Sequence, residues 1–293
     1  AIWAEVGGSL LSEVGNIFSS GTRSGGFEGL GSFGAFLAVF SIMVGYFAAV
    51  VINFGDFARF VKNEEEMKKG NLYGLVGNVI FFSFITLMIT GGTIALFGEY
   101  VAQPTDMVAK VDNIFLTVVA AFAFFAATVG INMVANFIPP AYDLANLMPS
   151  KINFRTGGLI TAAFGFVIGG MWVAVITKMG IFPFVNTLGA ILAPVFGIMI
   201  TDYYIIKKQK IDVNALFNEG KGKYWYNDGF NLKGMVAWIL SGYIAIGSVW
   251  PNILPGGLGN FFANLGGGGG YAWIIGASLG AVVHLAISSA GKK

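Results

Sequence analysis

The chain has 293 residues, of which 11% are charged and 56% hydrophobic, with 28 Phe and a mean hydropathy of +0.74. A soluble domain carries about 25% charged residues, because charge is what covers its surface. The composition excludes a cytosolic enzyme domain, a disordered chain and a nucleic-acid binder, and leaves an all-α integral membrane protein. The absence of Cys excludes disulfides, thiolate metal sites and cysteine nucleophiles. A single His, His284, leaves no histidine metal cluster. No nucleophile–base pair is visible, so no enzyme activity, catalytic residue, metal or cofactor is expected. The formal net charge of +2 points to no partner.

Residues 1–30 are polar and rich in Gly and Ser, and are expected as an extracytoplasmic loop, with at most a short amphipathic turn. They begin Ala-Ile-Trp, with no basic region followed by a cleavage site, so no signal peptide is read. The start reads as the middle of a larger open reading frame. A spanning helix needs about 20 mostly apolar residues, and seven segments qualify. They are Phe33 to Asn53, Leu72 to Leu96, Val111 to Ile138, Gly157 to Ile176, Phe184 to Ile206, Gly234 to Trp250 and Tyr271 to Ala290.

Cations orient the spans. Alternation puts segments 54–71, 139–156, 207–233 and 291–293 on one side. They carry Arg59, Lys62, Lys68, Lys69, Lys151, Arg155, Lys207, Lys208, Lys210, Lys221, Lys223, Lys233, Lys292 and Lys293, which is 14 of the 17 Lys and Arg residues. The other side holds Arg23, Lys110 and Lys178. Residue 1 is therefore expected outside and residue 293 in the cytoplasm, in a plasma or inner membrane. Ionisable residues avoid the span centres. Asp56 and Asp202 fall at cytoplasmic ends, Asp143 follows the third span, and His284 reads as a helix–helix or interfacial residue.

The third span carries Asn132 and Asn136, four residues apart and so on one helix face. An amide in lipid is costly unless paired, so this face turns inward. Two amides suit a planar polar ligand with mixed donor and acceptor edges, and equally suit bonds to neighbouring helices. The first span carries Gly45-Tyr46-Phe47 at mid-span, then Asn53, Asp56 and Arg59. Gly permits unwinding beside a cavity. Tyr46 and Phe47 can stack on a ring or simply pack. Asp56 and Arg59, three apart, can pair or cap the helix end, a gating or structural role.

A set of motifs extends these residues. It comprises Asn53-x-x-Asp56-Phe57-x-Arg59-Phe60, then Asn132-x-x-x-Asn136-x-x-x-Pro140-Ala141-Tyr142-Asp143-Leu144-x-Asn146, then Ile152-Asn153-Phe154-Arg155-x-Gly157-Gly158. Gly189-Ala190-x-x-Ala193-Pro194-x-x-Gly197, Asp202-Tyr203-Tyr204 and Tyr224-x-Tyr226-x-x-Gly229-x-Asn231 follow. In this order, over about residues 30 to 250, the sequence resembles the nucleobase:cation symporter-1 family, whose members carry purines, pyrimidines, hydantoins and allantoin. The resemblance implies a LeuT-like fold of two inverted five-helix repeats plus two helices. The seven spans then correspond to family helices 6–12, with helices 1–5 absent. Residues 31–206 are the second repeat, 207–233 a cytoplasmic loop and 234–293 the last two helices.

The resemblance also implies roles. Gly45 and Tyr46, with Phe47 as alternative, pack on the substrate ring, and Asn132 and Asn136 bind its edge. Asn53, Asp56, Arg59, Asp143 and Asp202 are structural or gating residues. Sodium-coupled members ligate the ion through an Ala carbonyl and two hydroxyls. The equivalent positions here are Ala127, Gly130 and Ile131, so both hydroxyls are missing and proton coupling or an altered ion site is favoured. The coupling ion, H+ or Na+, stays open. The expected protein is a symporter of a small heterocycle such as allantoin, uracil, cytosine or a hydantoin. Its expected partners are the substrate, the lipid bilayer and the missing N-terminal half of the transporter, with no nucleic acid. An ion-independent channel or facilitator, or a non-transporting membrane scaffold, is the alternative.

Overall fold

The computed structural model describes residues 7–19, 29–99, 101, 104–216 and 222–290. Arg23, Lys221, Lys292 and Lys293, used above for orientation, lie outside the described residues. Among those described, the regular elements are helices, with one isolated bridge between Asn227 and Phe230. The main helices are α1 (Ser9–Ser19), α2 (Gly31–Tyr46), α3 (Glu64–Phe97), α4 (Ile114–Leu147), α5 (Phe154–Met179), α6 (Ile181–Ile206), α7 (Leu232–Val249) and α8 (Ala272–Ala290). Six of them, α3 to α8, are long and apolar enough to cross a membrane.

Three local results depart from the sequence reading. Residues 1–30, expected as a loop, contain α1, whose Leu10 is buried. The segment expected as a first span, Phe33 to Asn53, is interrupted. Helix α2 has 16 residues and stops at Tyr46; Phe47 turns (φ −91°, ψ 10°), Ala48–Ile52 resumes, Asn53 turns (φ −93°, ψ 21°) and Phe54–Ala58 follows. Helices α3 and α4 overrun their expected bounds. Asn63 caps the Glu66 N–H at 2.9 Å, and Glu64 and Glu65 pair with Lys68 and Lys69 at 2.7 and 2.8 Å. Acids at the N-terminus and cations a turn later favour helix there without any apolar run. At α4, the expected span ends at Ile138, before Pro139 and Pro140. Instead they occupy the first turn of Ile138–Leu147, after a π-turn, where a missing N–H is tolerated.

The chain divides into two units, residues 1–23 with 55–165, and residues 24–54 with 166–293. In the first, α1 packs on α3. A Cβ at Gly91 would lie 2.7 Å from Val14 Cγ2, so the missing side chain sets that approach. The start of α5 leans on the end of α4 in the same way. A Cβ at Gly157 would stand 2.5 Å from the Ala141 carbonyl oxygen, and one at Gly158 2.9 Å from the Phe137 ring.

In the second unit α6 packs against α2, α7 and α8. Small residues set each approach, as expected where lipid removes the usual hydrophobic drive and close van der Waals packing must replace it. A Cβ at Gly197 would run into the Ala277 carbonyl, and one at Gly280 would stand 2.5 Å from the Pro194 carbonyl. At the α2–α6 crossing, a Cβ at Gly189 would be 3.3 Å from Gly45 Cα. Helix α7 is tied to α6 by indoles. Trp238 Nε1 donates to the Ile191 carbonyl at 2.8 Å. Trp250 Nε1 donates to Thr187 Oγ1 at 2.8 Å, and that hydroxyl donates to the Pro183 carbonyl at 2.6 Å. Pro194, inside α6, brings no N–H to the Ala190 carbonyl, and the first indole bond falls one residue beyond that gap.

This packing gives a direct test. Gly197→Ala should destabilise the chain by about 1–3 kcal/mol, the usual cost of overfilling a packed contact. Gly165→Ala, where an added Cβ meets open space, should leave stability unchanged or raise it. Thermal unfolding of the purified chain in detergent reads both. Equal behaviour of the two variants would remove the packing explanation.

Candidate functional site

Asn132 and Asn136 sit at the one irregular stretch of α4. The α-helix Ile114–Ile131 gives way to the π-turn Asn132–Phe137 before α-winding resumes at Ile138. The prolines supply the reason. Pro139 and Pro140 have no N–H for the Ala135 and Asn136 carbonyls, and the Ile138 N–H reaches back five residues to the Met133 carbonyl. Asn132 Nδ2 donates to the Thr128 carbonyl at 2.8 Å, and Asn136 Nδ2 donates to Asn132 Oδ1 at 2.7 Å. The amides therefore form a ladder of i,i+4 bonds up one face. Asn136 Oδ1 and one N–H of each amide point beyond the ladder. Both residues are exposed on a helix whose most apolar stretch has no buried residue. Such a ladder can orient a ligand with paired donor and acceptor edges, and its first bond fixes Asn132 before anything binds.

A shallow depression of about 380 Å³ adjoins it, lined by Pro104, Thr105, Phe124, Ala127, Thr128, Ile131 and Asn132. Ala127 and Ile131 thus share a face with Asn132, whereas Gly130 is not among the lining residues. Ile131 brings only hydrocarbon. Thr128 places a hydroxyl on this face, and its carbonyl orients Asn132. Sequence reasoning passed over Thr128, although its position four residues before Asn132 is a usable signal.

Asn132 and Asn136 belong to the first unit, and Gly45, Tyr46 and Phe47 to the second. Gly45 is buried in α2 at the crossing with Gly189, so its missing side chain serves the helix contact. The backbone break falls two residues later, at Phe47. Tyr46 is exposed, and its ring meets that of Phe47 edge-on at 5.1 Å.

The charged motifs form two separate clusters. In the first unit Arg59 donates to Asp56 at 3.1 Å and lies over the Tyr142 ring at 4.7 Å. Tyr142 stacks on Phe154 at 4.6 Å and approaches Phe60 at 6.3 Å. Asp143 follows Tyr142 on α4, while Asn53 marks the second break after α2. In the second unit Asp202 opens the π-turn Thr201–Ile206 and pairs with Lys207. The wider winding brings residues five apart towards one face, and the Lys207 N–H bonds the Asp202 carbonyl at 2.8 Å. Lys207 also reaches Tyr226 Oη at 3.3 Å and the Tyr224 ring at 4.9 Å. Burial lowers the Lys207 pKa, but the hydrogen bonds and attraction from Asp202 and Tyr226 outweigh it and raise the pKa above the usual lysine value. The pairing is therefore complete below that ordinary value and is lost only as pH climbs through the raised one. Tyr142 as a partner of Arg59, and Tyr224 and Tyr226 as partners of Lys207, went unassigned in the sequence because they lie far along the chain from these cations.

Residues 1–276 match the model of the family described as permease for cytosine/purines, uracil, thiamine, allantoin. The chain is 33% identical over 224 residues to the allantoin permease of Bacillus subtilis (strain 168), covering 76% of this chain and 45% of that protein. It is 28% identical over 207 residues to a purine-uracil permease of Arabidopsis thaliana (69% and 34% covered). It is 27% identical over 233 residues to the hydantoin permease of Microbacterium maritypicum (75% and 45% covered). These relatives are permeases, not enzymes, and the matched region spans less than half of their length. No solved structure matches. The six apolar helices agree with a multi-pass membrane protein, and the chain belongs to the family of permeases for cytosine/purines, uracil, thiamine and allantoin.

Proposed function

We propose that this chain forms part of a secondary active symporter that imports a nucleobase or related heterocycle across a plasma or inner membrane. Its helices correspond to family helices 6–12 of a LeuT-like fold, with α2 and its interrupted continuation as the seventh span. Residue 1 faces outside and residue 293 the cytoplasm. The covered share of its relatives supports a transporter completed by further helices. The observation that carries the reading is the amide ladder at the π-turn of α4. It is open, polar and pre-oriented on an otherwise apolar helix, and π-turns recur at functional sites.

In this reading Asn136 reads the donor and acceptor edge of the substrate ring, and Asn132 supports it. Tyr46 or Phe47 stacks on a ring face, with Gly45 setting the height of α2. Ala127, Gly130 and Ile131 bring backbone carbonyls but no side-chain hydroxyl to a cation, which favours proton coupling or an altered ion site. Asn53, Asp56, Arg59, Asp143 and Asp202 hold helix ends together during the transport cycle.

Uptake of radiolabelled allantoin, uracil, cytosine and hydantoin by cells expressing the permease tests this. Asn136→Ala should weaken apparent affinity for the carried heterocycle about 5- to 150-fold, corresponding to about 1–3 kcal/mol for a buried partner left unpaired. Unchanged uptake would remove Asn136 from the site. For coupling, uptake should collapse when the proton gradient is dissipated and persist when Na+ is replaced by choline. Loss on Na+ removal would reverse the ion assignment. Uptake that follows only the heterocycle's own gradient would favour a facilitator.

A further inference from the structure

His284 is the only histidine of the chain. It lies in α8 at 2% exposure, and neither ring nitrogen has a hydrogen-bond partner among the described residues. A buried polar group without partners is expensive to keep. The nearest charge is Asp202, whose Oδ1 stands 3.6 Å from His284 Nε2. The other oxygen of that carboxylate, Oδ2, is held by Lys207. One carboxylate therefore presents one oxygen to each of two basic groups on different elements.

The elements packed on α8 are α2, α6 and α7. Their titratable groups are Tyr46 on α2, Asp202, Tyr203 and Tyr204 on α6, and Lys233 and Tyr243 on α7. Lys233 is exposed at the start of α7, and those four tyrosines are exposed. Asp202 is the one acid of this set. Its side chain is 25% exposed and that of Lys207 is 24% exposed, so water reaches the carboxylate.

We propose that His284 and Asp202 form a proton-binding site that fastens α8 to the end of α6. A proton delivered from water along the Asp202 carboxylate adds to the imidazole. The imidazolium then donates from Nε2 to Asp202 Oδ1, while Lys207 keeps Oδ2. No bond other than N–H forms, and Nε2 gains the partner it lacks. The site also reaches the following segment. Lys207 binds Tyr226 and lies over Tyr224. The non-Gly residues with positive φ among those described, Lys208, Gln209, Tyr226 and Asp228, all belong to it. Asp202 thus joins α8 to Lys207, Tyr224 and Tyr226. The site is separate from the amide ladder and does not depend on which heterocycle is carried.

The sign follows from linkage. A proton bound with a partner in the folded state stabilises at low pH, and the gain is lost as pH rises through the folded-state titration. The test uses the full chain, purified without a histidine tag and placed in lipid nanodiscs, with histidine labelled for NMR. Since the label reports one residue, the neutral and protonated forms of the ring are read directly, and wild type should take up a proton as the pH is lowered. In Asp202→Asn, where the facing oxygen carries no charge, less of the protonated form should be present at the same pH. The thermal midpoint of wild type should be higher at pH 6 than at pH 8, and that difference should vanish in His284→Gln. A wild-type ring that takes up no proton, equal proton uptake in wild type and Asp202→Asn, or an unchanged pH difference in His284→Gln would each overturn the proposal. If Asp202→Asn does not fold, the wild-type titration and the His284→Gln comparison decide it.

Discussion

A backbone surrounded by hydrocarbon must close its own hydrogen bonds, because each open N–H or carbonyl costs several kcal/mol there. Helices α3 to α6 do so by α-winding along most of their length, and each switches to the wider i→i+5 winding at one π-turn: Asn71–Gly77, Asn132–Phe137, Trp172–Ile176 and Thr201–Ile206. Two of these turns carry the polar groups that matter. The turn at Asn132 accommodates Pro139 and Pro140 and lifts two amides onto one face. The turn at Thr201 swings Lys207 towards Asp202. Chemistry enters the apolar helices where the winding loosens, since a regular α-turn has no polar group to spare.

Packing obeys a second constraint that follows from the first. Helices in lipid gain little by hiding apolar side chains from one another, so they associate through close contact. The second unit achieves this by omission. Gly197, Gly276 and Gly280 let α6 and α8 approach backbone to backbone, and Gly45 meets Gly189 where α2 crosses α6. The high Gly content, 43 residues, is in part the record of these approaches. It also changes the meaning of Gly45. Its place in the helix contact sets where Tyr46 and Phe47 begin, and the helix breaks at Phe47.

Much of this was legible in the sequence, and the remainder was not for physical reasons. Apolar runs gave the six long helices, because lipid exposure demands continuous hydrophobicity. They could not give the helical turns from Glu64 or beyond Pro140, whose stability comes from capping, charge placement and proline at a helix start. Nor could they reveal α1, which is short and Ser/Gly-rich yet buries Leu10. Spacing placed Asn132 and Asn136 on one face. It did not disclose that they bond each other and Thr128, since that depends on rotamers at a π-turn. Asp202 and His284 are 82 positions apart, so only the packing of α8 on α6 brings them together.

Three charged sets near helix ends share one arrangement. An acid pairs with a cation, and the cation rests on an aromatic face. Asp56, Arg59 and Tyr142 form one set, Glu99, Lys110 and Phe97 another, and Asp202, Lys207 and Tyr224 a third. Individually such exposed contacts are worth roughly 0–1 kcal/mol, so their value is placement. Each cation spends its charge on the acid and its flank on a ring, which suits the boundary where helices leave hydrocarbon for water. The spacing differs with the winding beneath it. Asp56 and Arg59 are three apart on an α-turn, whereas Asp202 and Lys207 are five apart on a π-turn. The longer spacing leaves the second carboxylate oxygen of Asp202 facing α8, and there it meets His284, the one buried titratable ring among the described residues.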